Sequence, residues 1–390
     1  MRISDLGKIV TGKTPTTKDS ALWNGTIPFV TPGDIQGTKH IFKTARYISD
    51  FGLQKQAGVR LPKKAVCVSC IGNIGYVGMT TETCITNQQI NSIIAYPDHN
   101  PDYIYYLLKS LWSFFKHYEG QSTTLSILNK TQFSNIEIPD RTREEEDNIA
   151  IILNAIDEKI ETNEKVNDNL LQQAMALFIS WFISFDPFSG IMPGNWSETI
   201  LDDVCSLISR GITPKYDEAS DQMVINQKCI RAHTLDLSPA RHYLPKVVNE
   251  KWLKFGDLLI NSTGEGTLGR TAQVYFEPCN MTVDSHVTIV RPAKENLIFY
   301  VGMWGLLHER EIEALHTGST GQTELPRERL KAMKILLPDQ DTLVRFNTTI
   351  APLTKMIVHN QDENRRLSSI RDYLLPRLMS GEIDVSNITI

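Results

Sequence analysis

Two stretches of this chain carry apolar residues at alternating steps of four and three. The first is Ile149, Leu153, Ile156, Ile160, Asn163, Asn167, Leu170, Ala174, Leu177 and Trp181. The second is Phe346, Ile350, Leu353, Ile357, Asn360, Asn364, Leu367, Arg371, Leu374 and Leu378, offset by 197 residues. That rhythm is the buried seam of a coiled coil. Each seam holds two asparagines at its middle, and buried asparagine fixes register at a cost in stability, because a slipped pairing leaves amides against apolar neighbours. Asn163, Asn167, Asn360 and Asn364 are therefore read as the register-setting residues of two helices that pair with each other. The amides align in a parallel or an antiparallel pair, so the direction stays open. Pro352 predicts a break or kink near the start of the second helix. At 1.5 Å per residue, the paired part is roughly 50 Å long.

A similar offset, between 192 and 199 residues, recurs along the rest of the chain. GKTP begins at Gly12 and GITP at Gly211, each after a similar opening, DLGKIV and DDVCSLI. Strand-like, glycine-punctuated stretches follow, VCVSCIGNIG at 66–75 and LLINSTGEGTLG at 258–269, aligned through Ser69 and Ser262 as apolar residues, a serine, then GxxG. TCITNQQINSIIAYP faces PCNMTVDSHVTIVRP. Short amphipathic helices follow, then polar loops (EGQSTTL and TGSTGQTEL) and closing strands ending IEIPD at 136–140 and ILLPD at 335–339. Element order repeats, so the chain is two copies of one module, each followed by a long helix.

Composition frames this reading. A chain of 390 residues with 41% apolar content is long enough for two or three domains. No run is apolar enough to span a bilayer, and MRISDLGKIV lacks the apolar core of a signal peptide, so a cytoplasmic, membrane-free protein is expected. Six scattered cysteines form no disulfide framework. Cys67 and Cys70 have metal-ligand spacing, with Cys84 downstream, but LLINST offers no matching thiols. Whatever both modules do therefore needs no metal there.

These motifs, in this order and twice over, resemble the specificity (S) subunits of type I restriction-modification systems. The residues that carry the resemblance are the GxTP openings, the SxxGxxG-like pairs, the IPD and LPD closings, FISWFISFDPF, PGNWSETILDDV and the ending YLLPRLMSGEI. The resemblance implies an α+β fold: two similar target recognition domains separated by two long helices forming an antiparallel coiled coil, in a pseudo-twofold arrangement. The expected division is 1–140 for domain 1, 141–185 for the first spacer helix, 186–195 for a linker, 196–338 for domain 2, 339–380 for the second helix and 381–390 for a tail. It further implies an asymmetric bipartite site on double-stranded DNA, with one domain per half-site. The implied partners are two modification (methyltransferase) subunits and the restriction subunits, which would hold S-adenosylmethionine, ATP and Mg; this chain would hold no cofactor. The acidic run Glu144 to Asp147 is a candidate docking surface for the modification subunits. One departure is visible: the Pro-Gly-Trp opening at 193–196 has no counterpart ahead of module one, which leaves the extreme N-terminal residues less anchored or the start further upstream.

Charge agrees in part with DNA binding. Residues 1–140 carry 14 basic and 10 acidic side chains (+4), 141–185 carry 4 and 9 (−5), and 196–338 carry 16 and 18 (−2). The first module suits a polyanion, while the second needs its charges segregated. A field this modest fits a subunit that binds tightly only alongside partners supplying further phosphate contacts.

Base edges are read by paired donors and acceptors: Asn or Gln for adenine, Arg or Lys for guanine, and Ser or Thr for either. The polar loops offer Lys13, Thr14, Thr16, Lys18, Ser69, Asn73, Gln88, Gln121 and Ser122 in the first module. In the second they offer Thr213, Lys215, Asn226, Lys228, Arg231, Ser262, Thr263, Arg270, Ser285, His286, Ser319 and Gln322. Gly12, Gly72, Gly75, Gly211, Gly266 and Gly269 are read as permitting tight turns or close backbone approach. Because loop chemistry differs between modules, the half-sites should differ. Two rival readings remain: a tandem scaffold for protein or RNA, and an adenine-methyltransferase-like enzyme suggested by DPFSG at 186–190. That stretch runs on into IMPGNW, and no NPPF or DPPY motif for gripping a flipped adenine occurs, so it is read as a linker. His117, His233, His286 and His308 form no arrangement common to both modules, and no catalytic residues are assigned.

Overall fold

The computed structural model describes residues 1–35, 39–120, 126–245, 248–318 and 323–386. The chain divides into two compact units, Met1–Glu161 with Asn364–Ile390, and Thr162–Glu363.

In the first unit a five-stranded sheet has the order Gly7–Thr11, Ile90–Ala95, Val66–Ser69, Val77–Thr80, His40–Ile41. All neighbours are antiparallel except the last pair. The helix Pro101–Ser110 lays Tyr103 to Leu108 into the core; Asn100 caps it by accepting the backbone N–H groups of Asp102 and Tyr103, and Pro101 occupies the first turn, where its missing N–H costs nothing. A small second sheet places Trp23–Val30 between Arg46–Ile48 and Ile85–Thr86. Met1 donates to the Ile138 carbonyl at 3.2 Å and Arg2 forms an isolated bridge to Glu137, so the first residues are anchored on the IEIPD segment, which is not itself a strand, unlike the less anchored start that is one of the two expected alternatives.

The second unit repeats the plan. Its sheet has the order Cys205–Arg210, Val287–Pro292, Leu258–Asn261, Thr271–Gln273. A small sheet places Met223–Ile225 between Arg241–His242 and Met281–Val283. Register corrects one detail of the sequence alignment. Ser69 lies opposite Ile90 and Asn261 opposite Val287, so Ser69 corresponds to Asn261 and Cys70 to Ser262. The side chains agree: the Cys70 thiol donates to the carbonyl two residues back at 3.4 Å, as the Ser262 hydroxyl does at 3.3 Å.

The long helices are Arg143–Phe182 and Gln340–Ser380. Within the first unit, Arg371 meets Asp157 at 3.0 Å and Asn364 reaches the Ile160 carbonyl at 3.4 Å. Within the second, Asn163 meets Glu363 at 2.7 Å and the Asn360 amide donates to Asn167 at 2.8 Å. Numbers fall on one helix as they rise on the other, so the pair is antiparallel. The second helix runs unbroken through Pro352, because buried Phe346 and Ile350 on one side and Leu353 and Thr354 on the other hold it to the core. The acidic run is partly turned inward: Glu146 is buried, accepting from His99 and from the Asn100 backbone, each at 2.7 Å. Glu145 accepts from Arg141 and Thr142, and Asp147 from Arg143 and Asn100, so part of the run's charge is engaged locally while Glu144 stays exposed.

The helices meet the two modules through unlike chemistry. In the first unit, Lys39 bonds Asp102 at 2.6 Å and also Asn154, while Asp157 accepts from Tyr106 at 2.8 Å as well as from Arg371. In the second unit, the Phe182 ring sits 4.9 Å from Phe346, 4.8 Å from Tyr300 and 5.7 Å from Trp196. Trp196 is also flanked by Phe185, just ahead of the DPFSG stretch, and by Phe188 within it; Asp186 of that stretch accepts from Ser180 at 2.7 Å. DPFSG is thus a folded strap at the helix end. Among the described residues, no helix is long and apolar enough to cross a membrane.

Candidate nucleic-acid interface

In each module the polar loops are drawn together at one end of the sheet. The GxTP turn crosses the loop that enters the second sheet strand so closely that only glycine fits. A Cβ on Gly12 would overlap the Thr86 and Asn87 carbonyls, and one on Gly211 would overlap Val283 and Asp284. Gly12 donates to the Ile90 carbonyl and Gly211 to the Val287 carbonyl, both at 3.1 Å. The loop beneath is an Asx turn in both copies. Asn87 accepts from the Gln89 backbone at 3.1 Å, and Asp284 from the His286 backbone at 2.9 Å. Burial raises the Asp284 pKa, opposed by that bond and by His286.

The glycine-punctuated loop joins the same cluster. Cys70 donates its N–H to the Gln89 carbonyl at 2.7 Å, and Ser262 to the His286 carbonyl at 2.8 Å. Each residue then accepts from a leucine beyond the following polar loop, Leu128 and Leu325, both at 2.8 Å. Four loops are thereby fixed to one another by backbone bonds, which leaves their outward side chains free to vary.

The described candidate residues divide into three groups. Lys13, Thr16, Lys18, Asn73 and Gln88 are exposed in the first module, and Thr213, Lys215, Lys228, Arg231, Arg270 and His286 in the second. Half-buried Thr14 bonds Gln88 at 2.6 Å, and half-buried Thr263 meets His286 at 2.8 Å, so those loops touch through their side chains too. Ser285 is half-buried beside His286. Three residues are structural instead. Ser69 is fully buried, its hydroxyl donating to the Asn73 carbonyl and accepting from Tyr76. Ser262 is fully buried, bonded to Ile260 and Thr288. Asn226 caps a short turn, accepting from Lys228 and donating to Pro239. All three have their polar atoms committed inside the module. Gln121, Ser122, Ser319 and Gln322 lie outside the described residues.

Other groups at this end were not singled out from the sequence. Arg210 bonds the Leu325 carbonyl at 2.8 Å and the Glu324 carboxylate. At the tip of the hairpin Ile230–Leu235, His233 meets Glu309 at 3.2 Å. Burial opposes ionisation of Glu309, but bonds from His233 and Thr271 hold its pKa below the usual range. The Arg46 guanidinium lies 3.7 Å over the Trp23 ring, and that of Arg241 3.5 Å over Tyr216. The repeated Ala-Arg at 45–46 and 240–241 was the available signal for this last pair. Burial pushes the Cys67 and Cys70 thiols up to about 12. Among the described residues no group of three His, Cys, Asp or Glu could hold a metal ion.

Residues 1–172 match the family described as Type I restriction modification DNA specificity domain. Across 99% of its length the chain is 28% identical to the type I restriction enzyme MjaIX specificity subunit of Methanocaldococcus jannaschii, covering 94% of that protein. The type I restriction enzyme HindI specificity subunit of Haemophilus influenzae is 36% identical over 35% of this chain and 30% of the relative. In fold, the chain is similar to the type I restriction-modification S subunit from M. genitalium, with a TM-score of 0.61 at 16% identity over 97% of this chain and 95% of that one.

Proposed function

We propose that this chain, which belongs to the specificity subunits of type I restriction-modification systems, reads an asymmetric bipartite site on double-stranded DNA, one half-site per module. The observation that carries this reading is the repeated loop cluster. The same backbone bonds gather the same four loops in both copies, while the exposed side chains differ: Lys13, Lys18, Asn73 and Gln88 against Lys215, Lys228, Arg231, Arg270 and His286. A shared scaffold with unlike polar tips suits two readers of unlike sequences.

On this reading the chain performs no chemistry. Modification subunits bring the methyl donor and the catalytic groups, restriction subunits bring ATP-driven cleavage, and the helices carry the spacing between half-sites. With a net charge of −5, the subunit alone should bind DNA weakly and gain affinity when partners add phosphate contacts.

The test is a gel shift with the modification subunits present, comparing duplex DNA with hairpin RNA, joined to methylation mapping of the host genome. The reading expects a duplex preference and a two-part methylated sequence. Preference for RNA, or methylation that ignores loss of residues 196–338, would sink it in favour of a scaffold.

A further inference from the structure

Strand register puts Arg46 and Arg241 at the same place in the two modules. Arg46 lies opposite Phe29, which lies opposite Ile85; Arg241 lies opposite Val224, which lies opposite Thr282. Both arginines are exposed, and both stack on an aromatic ring. The rings come from different segments. Trp23 begins the strand that pairs with Arg46, whereas Tyr216 follows directly on Lys215 of the GITP loop. The Trp23 indole is tied to the GKTP loop, donating to the Thr16 carbonyl at 3.0 Å, and the Tyr216 backbone bridges to Tyr243, two residues past Arg241. Two copies of one module have thus reached the same held guanidinium by two routes.

We infer that Arg46 and Arg241 grip DNA phosphates, one in each half-site, and fix each reader on the duplex without reading its sequence; this rests on the DNA-reading function proposed above. A guanidinium with one face covered keeps its N–H edge in a fixed plane, suited to two oxygens of one phosphodiester. Stacking also removes part of the ordering cost that a free arginine meets on binding. The alternatives fit less well. A device present in both modules cannot distinguish unlike half-sites, so guanine reading is disfavoured. Internal pairing does not use up either residue. Among the described residues no carboxylate lies within ion-pair distance of Arg46, and Arg241 pairs at 3.7 Å only with the exposed Glu218, which a phosphate can replace.

The test uses the complex with modification subunits and two duplexes, one carrying the site mapped by methylation sequencing and one scrambled, titrated over a range of salt. Arg46→Ala and Arg241→Ala should each weaken binding to both duplexes by roughly tenfold. Each should also lower the slope of log affinity against log salt by about one. The methylated sequence should stay unchanged. Arg46→Lys should keep the slope but recover only part of the affinity. Tyr216→Leu, which removes the ring and no charge, should weaken binding through Arg241 alone, giving no further loss in Arg241→Ala. A changed base at any methylated position, or unchanged affinity and slope in folded variants, overturns the inference. A wild-type complex that binds the mapped duplex no better than the scrambled one overturns the function proposed above instead, so the two failures are distinguishable.

Discussion

At the scale of the residue, the sharpest contrast is between side chains that reach out and side chains already spent. Asn360 is buried and donates to Asn167, whose own amide reaches back to the Ile357 carbonyl at 3.4 Å. Replacing Asn360 by Leu leaves the half-buried Asn167 oxygen without that donor, an expected loss of about 1 kcal/mol, read as a lower Tm. Replacing both asparagines by Leu should recover that loss while loosening register. These amides were legible in the sequence because helical period is a local signal. Ser69 and Ser262 misled for a physical reason: the serines share a letter but not a register, since the strands are offset by 192 residues and their partners by 197. The stacked arginines were hidden because Trp23 and Tyr216 come from non-equivalent positions, a meeting that only the tertiary fold makes.

Elements show how the same plan tolerates different cement. The first module meets its helices through polar hydrogen bonds, Lys39 to Asn154 and Tyr106 to Asp157, and the second through aromatic rings. Burial works against ionising Asp102, but bonds from Lys39 and Lys64 outweigh it and hold its pKa below the usual range. A depressed carboxylate adds stability that is present above its unfolded pKa, about 3.9, and is lost as pH falls through the lower folded value. Thermal unfolding of the first unit should therefore steepen its acid dependence below about pH 4, and Asp102→Asn should flatten it at a cost in neutral-pH stability. In the second unit, Phe182→Ala should cost about 3–5 kcal/mol, with little response to salt. Sequence periodicity gave the helices but overstated Pro352, whose local penalty is overridden by the packed residues on both sides of it.

For the whole molecule, the proposed division of labour makes separable predictions. If spacing belongs to the helices, replacing residues 196–338 with another such module should change one half-site and leave the gap intact. Insertion near Phe182 to Asp186 should lengthen the gap and leave both half-sites intact. Methylome sequencing of cells carrying each variant reads both outcomes, and altered spacing after the module exchange contradicts the division. The insertion site is not a slack tether: Phe185 and Phe188 pack on Trp196, so a useful insertion has to spare those rings. Module order, helix length and the repeat were readable from the sequence because each is a pattern along the chain. Which loop residues face outward was not, because that depends on backbone bonds between loops far apart in number.

One consequence concerns the order in which the protein can be built. The second unit is a continuous run, Thr162–Glu363, whereas the first waits for Leu375, Leu378 and Val385 to fill its core. A ribosome therefore delivers the later-encoded unit in full while the earlier one still lacks its last wall, and a nonsense codon near residue 370 should cripple the half of the protein that was translated first.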